Sequence, residues 1–233
     1  MKQGGENYMI KLAATYYDML VRALGQTILL TLLSLVFAMI IGLIFALMNV
    51  GKNRFFNLIG TIYVDAVRGV PLIVLAYFIY FGIPQGIKGL GFTDFRLTAL
   101  QAGVIALSMN CGAYMAEIIR AGIESIDKGQ MEAARSLGLP YGTSMRKVVL
   151  PQAIRTMIPS IINQFIITLK DTSILSIIAF PELTNVGKTM AGNTFKVLET
   201  WAIIAVMYMV VIVSLSKLAK YIERRIKRGT EQN

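Results

Sequence analysis

The stretch QTILLTLLSLVFAMIIGLIFALMNV, from Gln26 to Val50, carries no charged side chain along its whole length. As a helix it would rise about 37 Å, more than the roughly 30 Å of a bilayer's hydrocarbon core. A helix on the surface of a soluble domain keeps a charged face toward water, and this one has none. It also begins too far from Met1 and runs too long for the core of a signal peptide, and no small-residue cleavage site follows it. It reads as a retained membrane span, and the rest of the chain follows the same logic.

Working outward, four further segments meet the spanning criterion: Leu58 to Phe81, Leu97 to Ile119, Met157 to Ile178 and Thr200 to Leu218. Of the 233 residues, 55% are hydrophobic and 15% charged, and the mean hydropathy is +0.62, beyond what a soluble core can bury. The expected fold is all-α: one polytopic membrane domain, residues 1–233, with five transmembrane helices. Ahead of the first span, Tyr8, Met9, Leu12, Tyr16, Leu20 and Ala23 recur at helical spacing, so 1–25 is expected to hold a short external interfacial helix. No internal repeat is visible.

The net charge of +10 sits in loops. Lys52 and Arg54 lie between spans one and two; Arg120, Lys128, Arg135, Arg146, Lys147 and Arg155 lie between three and four; Lys220, Arg224, Arg225, Lys227 and Arg228 lie in the tail, 219–233. By the positive-inside rule these regions are cytoplasmic, placing the N-terminus outside, the C-terminus inside and Trp201 at the outer interface. That distribution sets orientation and implies no nucleic-acid partner. Cys111 is the single cysteine and histidine is absent, which removes disulfide frameworks, Cys/His zinc sites and His-based triads. No catalytic or metal-ligating set is expected.

The cytoplasmic stretch from Arg120 to Arg155 is longer than a connector needs to be. Glu132-Ala133-Ala134-Arg135-Ser136-Leu137-Gly138 reads as a helix stopped by a glycine in the left-handed region. Pro140 reinforces the break, and a second short helix from Tyr141 to Val149 is expected to close at Pro151.

Glu132-Ala133-Ala134, Gly138, Val148 and Leu150-Pro151, at these spacings, resemble the EAA loop of ABC importer permeases, with valine where isoleucine is usual. Arg68-Gly69-Val70-Pro71-Leu72, the block Gly112 to Gly122, and Leu169-Lys170-Asp171-Thr172-Ser173 resemble the polar amino acid branch of that family. The resemblance implies the type I importer fold, in prokaryotic plasma membrane, with residues 120–156 forming a coupling helix that docks on a cytoplasmic ATPase. Carried over by position, the coupling residues are Glu132, Ala133, Ala134, Arg135, Gly138, Tyr141, Leu150 and Pro151. It further implies a second permease copy or a similar permease, an extracellular amino acid binding protein and a polar amino acid substrate. No G-x-x-x-x-G-K-[ST] loop occurs, so ATP and Mg belong to the partner chain.

Ionisable groups inside the bilayer mark candidate substrate paths. Asp65 and Arg68 are three apart and placed to pair, just ahead of a break near Gly69 imposed by Pro71. On span four, Gln164, Thr168, Asp171 and Thr172 form one polar stripe, with Asn163 and Lys170 on a parallel one; interhelical glue is the plain account and a pathway face the functional one. On span three, Asn110, Tyr114 and Glu117 share a face, and Glu117 can reach Arg120. Glu199 lies at the external mouth or is a solvated loop carboxylate. The carboxylates suit a cationic amino acid, although Arg68 and Lys170 offset two of them. An ion-coupled transporter or channel using Asp65, Glu117 and Asp171 is the alternative, and it leaves the 120–155 loop without a purpose. A membrane-embedded enzyme lacks a catalytic set.

Overall fold

The computed structural model describes residues 3–51, 53–92 and 94–228. Lys52 and the residues beyond 228 lie outside the described residues. The described chain is helical almost throughout, and five helical runs are long and apolar enough to cross a membrane: Tyr17–Val50, Leu72–Gly89, Ala99–Glu124, Tyr141–Ile178 and Val197–Tyr221.

In order, the elements are α1 (Gln3–Thr15), α2 (Tyr17–Val50), α3 (Arg54–Gly69), α4 (Leu72–Tyr77), a π turn at Phe78–Gly82 and α5 (Ile83–Gly89). Then come α6 (Ala99–Glu124), α7 (Lys128–Ser136), α8 (Tyr141–Ser144), a π turn at Met145–Val149, α9 (Leu150–Asp171), a 3₁₀ segment at Thr172–Ile178, α10 (Leu183–Thr194) and α11 (Val197–Arg228).

Three sequence expectations shift. The second span is not one helix from Leu58 to Phe81: the chain breaks at Gly69–Pro71, and the apolar crossing is Leu72–Gly89. Pro71 sits extended at ψ 138° ahead of α4, where its missing N–H costs nothing, so the break expected near Gly69 becomes a helix boundary. Pro151 does not close a short helix; it follows a π turn, in the first turn of α9, and the helix runs on to Asp171. A proline there falls where the hydrogen-bond ladder has already been reset. Finally, the stretch between spans four and five, expected as a plain loop, contains α10.

The chain divides into two compact units, each drawn from three stretches of chain. One comprises Met1–Val36, Val70–Ser108 and Ile166–Leu215. Its apolar cluster joins Leu12, Leu20 and Ala23 to Leu183, Val186 and Met190 of α10 and Ile204 of α11. The N-terminal stripe read as interfacial thus contributes Leu12, Leu20 and Ala23 to protein packing. The Thr27 hydroxyl accepts from the Leu183 amide at 3.3 Å, tying α2 to the start of α10.

The other unit comprises Phe37–Gly69, Met109–Phe165 and Ser216–Asn233. Its core is Ala46, Val64, Ala116, Ile119, Ile123, Val149, Ala153 and Met157. Within it α2 and α6 cross closely because Gly42 and Gly112 face one another's helices: a Cβ on Gly42 would lie 2.5 Å from the Met115 Cβ. Phe45 stacks on Tyr63 at 3.8 Å, and the Tyr63 hydroxyl donates to the Met109 carbonyl at 2.8 Å.

Candidate functional site

The 120–156 segment is built by local rules. Asp127 caps α7, accepting from the Gly129 amide at 2.6 Å. At the other end Gly138 adopts φ +84°, the Gly138 amide donates to the Arg135 carbonyl at 3.0 Å, and the Leu139 amide reaches back to the Ala134 carbonyl at 3.3 Å. Only glycine takes that backbone conformation without cost, and the paired bonds satisfy carbonyls a helix end would otherwise strand. Ala134 is buried, while Glu132, Ala133 and Arg135 are exposed; Tyr141 is 45% exposed and Leu137, at the tip, 84%. Leu150 is half-buried and Pro151 exposed. Ser144, fully buried, holds the turn by donating to the Pro140 carbonyl at 3.2 Å. Gln152 bonds Gln130 at 3.3 Å, bracing α9 against α7. The segment is therefore rigid yet presents an apolar tip.

In the same unit, α6 carries a ladder of charges. Arg120 grips Glu117 with two bonds, Nη2 to Oε1 at 2.5 Å and Nε to Oε2 at 3.2 Å, and reaches Glu124 with Nη1 at 2.5 Å. Arg68, arriving from the end of α3, lies 3.9 Å from Glu117 and places its guanidinium 5.1 Å above the Tyr114 ring. The expected Asp65–Arg68 pair is not formed: Asp65 is exposed and makes no ion pair among the described residues. Both residues lie on α3, but the long Arg68, in the last turn of that helix, follows the Tyr114 face and the Glu117 carboxylate across on α6 instead. Asn110 is buried at 8% exposure, one turn below Tyr114.

On α9 and the 3₁₀ segment the two polar stripes separate. Gln164, Thr168 and Thr172 are buried, and the Thr172 hydroxyl donates to the Leu169 carbonyl at 2.7 Å. Asn163 and Lys170 are exposed, and Asp171 is half-buried beside the Lys170 charge. Glu199 sits in the first turn of α11, where a carboxylate complements the helix dipole.

Sequence reasoning missed Glu182. It is fully buried, and its carboxylate caps α10, accepting from the Asn185 amide at 2.6 Å, the Thr184 amide at 2.8 Å and the Tyr208 hydroxyl of α11 at 2.7 Å. Burial pushes its pKa up, while those donors pull it back. The signal was present in Pro181-Glu182-Leu183-Thr184, but capping rules look for short Asp, Asn, Ser or Thr and pass over the longer glutamate.

Five helical runs among the described residues, each long and apolar enough to cross a membrane, define the class: a multi-pass integral membrane component. The profile of the family described as "Binding-protein-dependent transport system inner membrane component" matches residues 38–228. The chain is 35% identical over 209 residues to the glutamine transport system permease protein GlnP of Escherichia coli, covering 90% of this chain and 93% of that one. It is 34% identical over 208 residues to the arginine transport system permease protein ArtQ of Bacillus subtilis, covering 89% and 92%. Its fold matches the crystal structure of an amino acid ABC transporter with histidines at a TM-score of 0.84, with 38% identity and 91% and 96% coverage. The chain belongs to the binding-protein-dependent permease family and has the type I importer permease fold. It is the non-catalytic inner-membrane subunit of an ABC importer, acting with a separate ATPase and a binding protein.

Proposed function

We propose that this permease carries a polar amino acid, with cationic side chains favoured, and that its α7 tip is the element gripped by the ATPase. The observation that carries the second half is Leu137: an aliphatic side chain 84% exposed at the end of a rigid, glycine-terminated helix in the segment read as cytoplasmic, not lipid-facing. Such a tip is stabilised by a partner groove. Around it Glu132, Ala133, Arg135 and Tyr141 form the exposed rim, and Leu150 and Pro151 lead the motion into α9.

The amino acid class is supported by the relatives, whose names specify glutamine and arginine transport. Within this chain, Arg68 over Tyr114 offers a guanidinium for an α-carboxylate, and Glu117 beside it a carboxylate for an ammonium group. Asp171, half-buried beside the exposed Lys170, is a separate candidate contact for a cation. Asp65, Asn163, Lys170 and Glu199 remain candidates by exposure or position; Asn110, Gln164, Thr168 and Thr172 are buried. The chain is one permease domain, N-terminus outside and C-terminus cytoplasmic, with residues 120–156 the coupling loop and the basic tail from 219 inside. It pairs with a second permease, identical or similar.

Reconstitution of the permease with its ATPase and binding protein tests this. Substrate-stimulated ATP hydrolysis should vanish in Glu132→Arg and in Gly138→Pro, and Asp171→Asn should lower uptake while leaving assembly intact. Uptake driven by an ion gradient with no ATPase present would overturn the reading.

A further inference from the structure

The run from Leu72 to Gly89 ends differently from the other spans. Along one side of α4 and the π turn, Val74, Tyr77, Phe78 and Phe81 are all exposed, a stripe suited to hydrocarbon. The same side continues into Gln85 and Lys88, and the chain then loops back to bring Arg96 beside them. Tyr80, Phe81, Gln85, Lys88, Arg96 and Leu97 line a cleft of about 250 Å³. Neither Lys88 nor Arg96 has an acidic partner among the described residues. Tyr80 and Phe81 meet edge to face, ring centroids 4.6 Å apart, forming one wall.

Two unneutralised cations converging on one cleft select an anion. A soluble anion would need no apolar approach, whereas here the cleft caps an exposed aromatic stripe on a membrane helix. Tyrosine, lysine and arginine at such a boundary place their polar ends among headgroups and their stems against acyl chains. We propose that this cleft is a binding site for the phosphate of an anionic phospholipid headgroup, with the acyl chain laid along Phe81, Phe78 and Val74. Lys88 and Arg96 hold the phosphate, Gln85 and the Tyr80 hydroxyl serve its ester oxygens, and with the N-terminus outside, as proposed above, the site lies in the outer leaflet.

The test uses the full chain in phosphatidylcholine nanodiscs containing a minor fraction of phosphatidylglycerol. Trp201 is the only tryptophan, so a Trp201→Phe background with Leu97→Trp places a single fluorophore at the cleft. Phosphatidylglycerol with brominated chains should quench it several-fold more than brominated phosphatidylcholine at equal mole fraction. Each of Lys88→Gln and Arg96→Gln should cut that preference about fivefold, the weight of one cation near an anionic surface, while Lys220→Gln in the tail leaves it intact. Lys88→Arg should retain the preference, which separates loss of charge from loss of fold. Equal quenching by the two lipids, a preference that survives the Lys88→Gln/Arg96→Gln pair, or one abolished by millimolar inorganic phosphate would overturn the lipid assignment.

Discussion

Glu182 and Glu117 are both partnered glutamates in a membrane protein, and they are solved in opposite ways. Glu182 is wholly buried and is held by two amides and a tyrosine hydroxyl, all neutral donors from α10 and α11. Glu117 has a side chain 32% exposed and is held by two arginines, one tightly and one at the limit of contact. A buried carboxylate fixed by directional neutral donors is difficult to replace without stranding them. A partly exposed carboxylate between two cations contributes little to stability and can exchange partners. The first arrangement suits a permanent joint and the second a contact that can be remade.

The sharpest way to break the contrast is Glu182→Ala. It removes the cap and leaves the Thr184 and Asn185 amides without an acceptor, while the Tyr208 hydroxyl keeps Thr184 Oγ1 at 3.3 Å, for a total loss of about 2–4 kcal/mol. Thermal unfolding of the purified protein should show a midpoint roughly 10 °C lower. A midpoint equal to wild type would mean that the joint is dispensable and the contrast false.

Next in size is Gly42→Ala, which asks what stabilises the unit containing Glu117 if its ion pairs do not. The added Cβ would sit 2.5 Å from the Met115 Cβ, with the Gly112 carbonyl at 3.1 Å, so α2 or α6 must shift. Overpacking of this kind costs about 1–3 kcal/mol, and the same unfolding measurement should register it. If Gly42→Ala is neutral while Arg120→Gln is severe, charge rather than close packing holds that unit.

The long spans were legible because an uncharged run of Gln26 to Val50 has one physical solution. The α7 terminus was legible because Gly138 at a helix end has nearly one as well, and φ +84° is that solution. The second span was misplaced because hydropathy averages over the Gly69–Pro71 break, which backbone chemistry does not. Asp65 and Arg68 were paired by spacing, yet tertiary contact with Tyr114 and Glu117 outweighed a neighbour on the same helix. The stripe on α9 was read correctly as polar, but periodicity cannot say which side a stripe faces; Gln164, Thr168 and Thr172 turned inward while Asn163 and Lys170 did not. Glu182 was invisible because its partner Tyr208 is 26 residues away in sequence.

A smaller effect separates the two glutamates by pH. Burial raises the pKa of Glu182 above its unfolded value, so the folded protein binds that proton more tightly. The resulting contribution to stability is fully present below the ordinary glutamate range, near about pH 4.3, and is lost as pH rises through the raised folded value. Glu182→Gln should flatten this part of the stability profile, measured by unfolding at stepped pH. An unchanged slope would assign it to another group.

The smallest effect expected is at Arg120. Its side chain is 33% exposed, and its pairs with Glu117 and Glu124 lie along one helix face, a geometry worth about 0.5 kcal/mol per pair. Arg68 already lies 3.9 Å from Glu117, so in Arg120→Gln it can close on the vacated carboxylate and blunt the loss. Arg68→Gln alone should be equally mild, because Arg120 keeps its two bonds to Glu117. The double variant has no cation left for Glu117 and should lose more than the two singles together, by about 1 kcal/mol in a double-mutant cycle. Strict additivity would mean that the two arginines do not share the carboxylate, and Glu117 would then be as fixed to one partner as Glu182 is to its own.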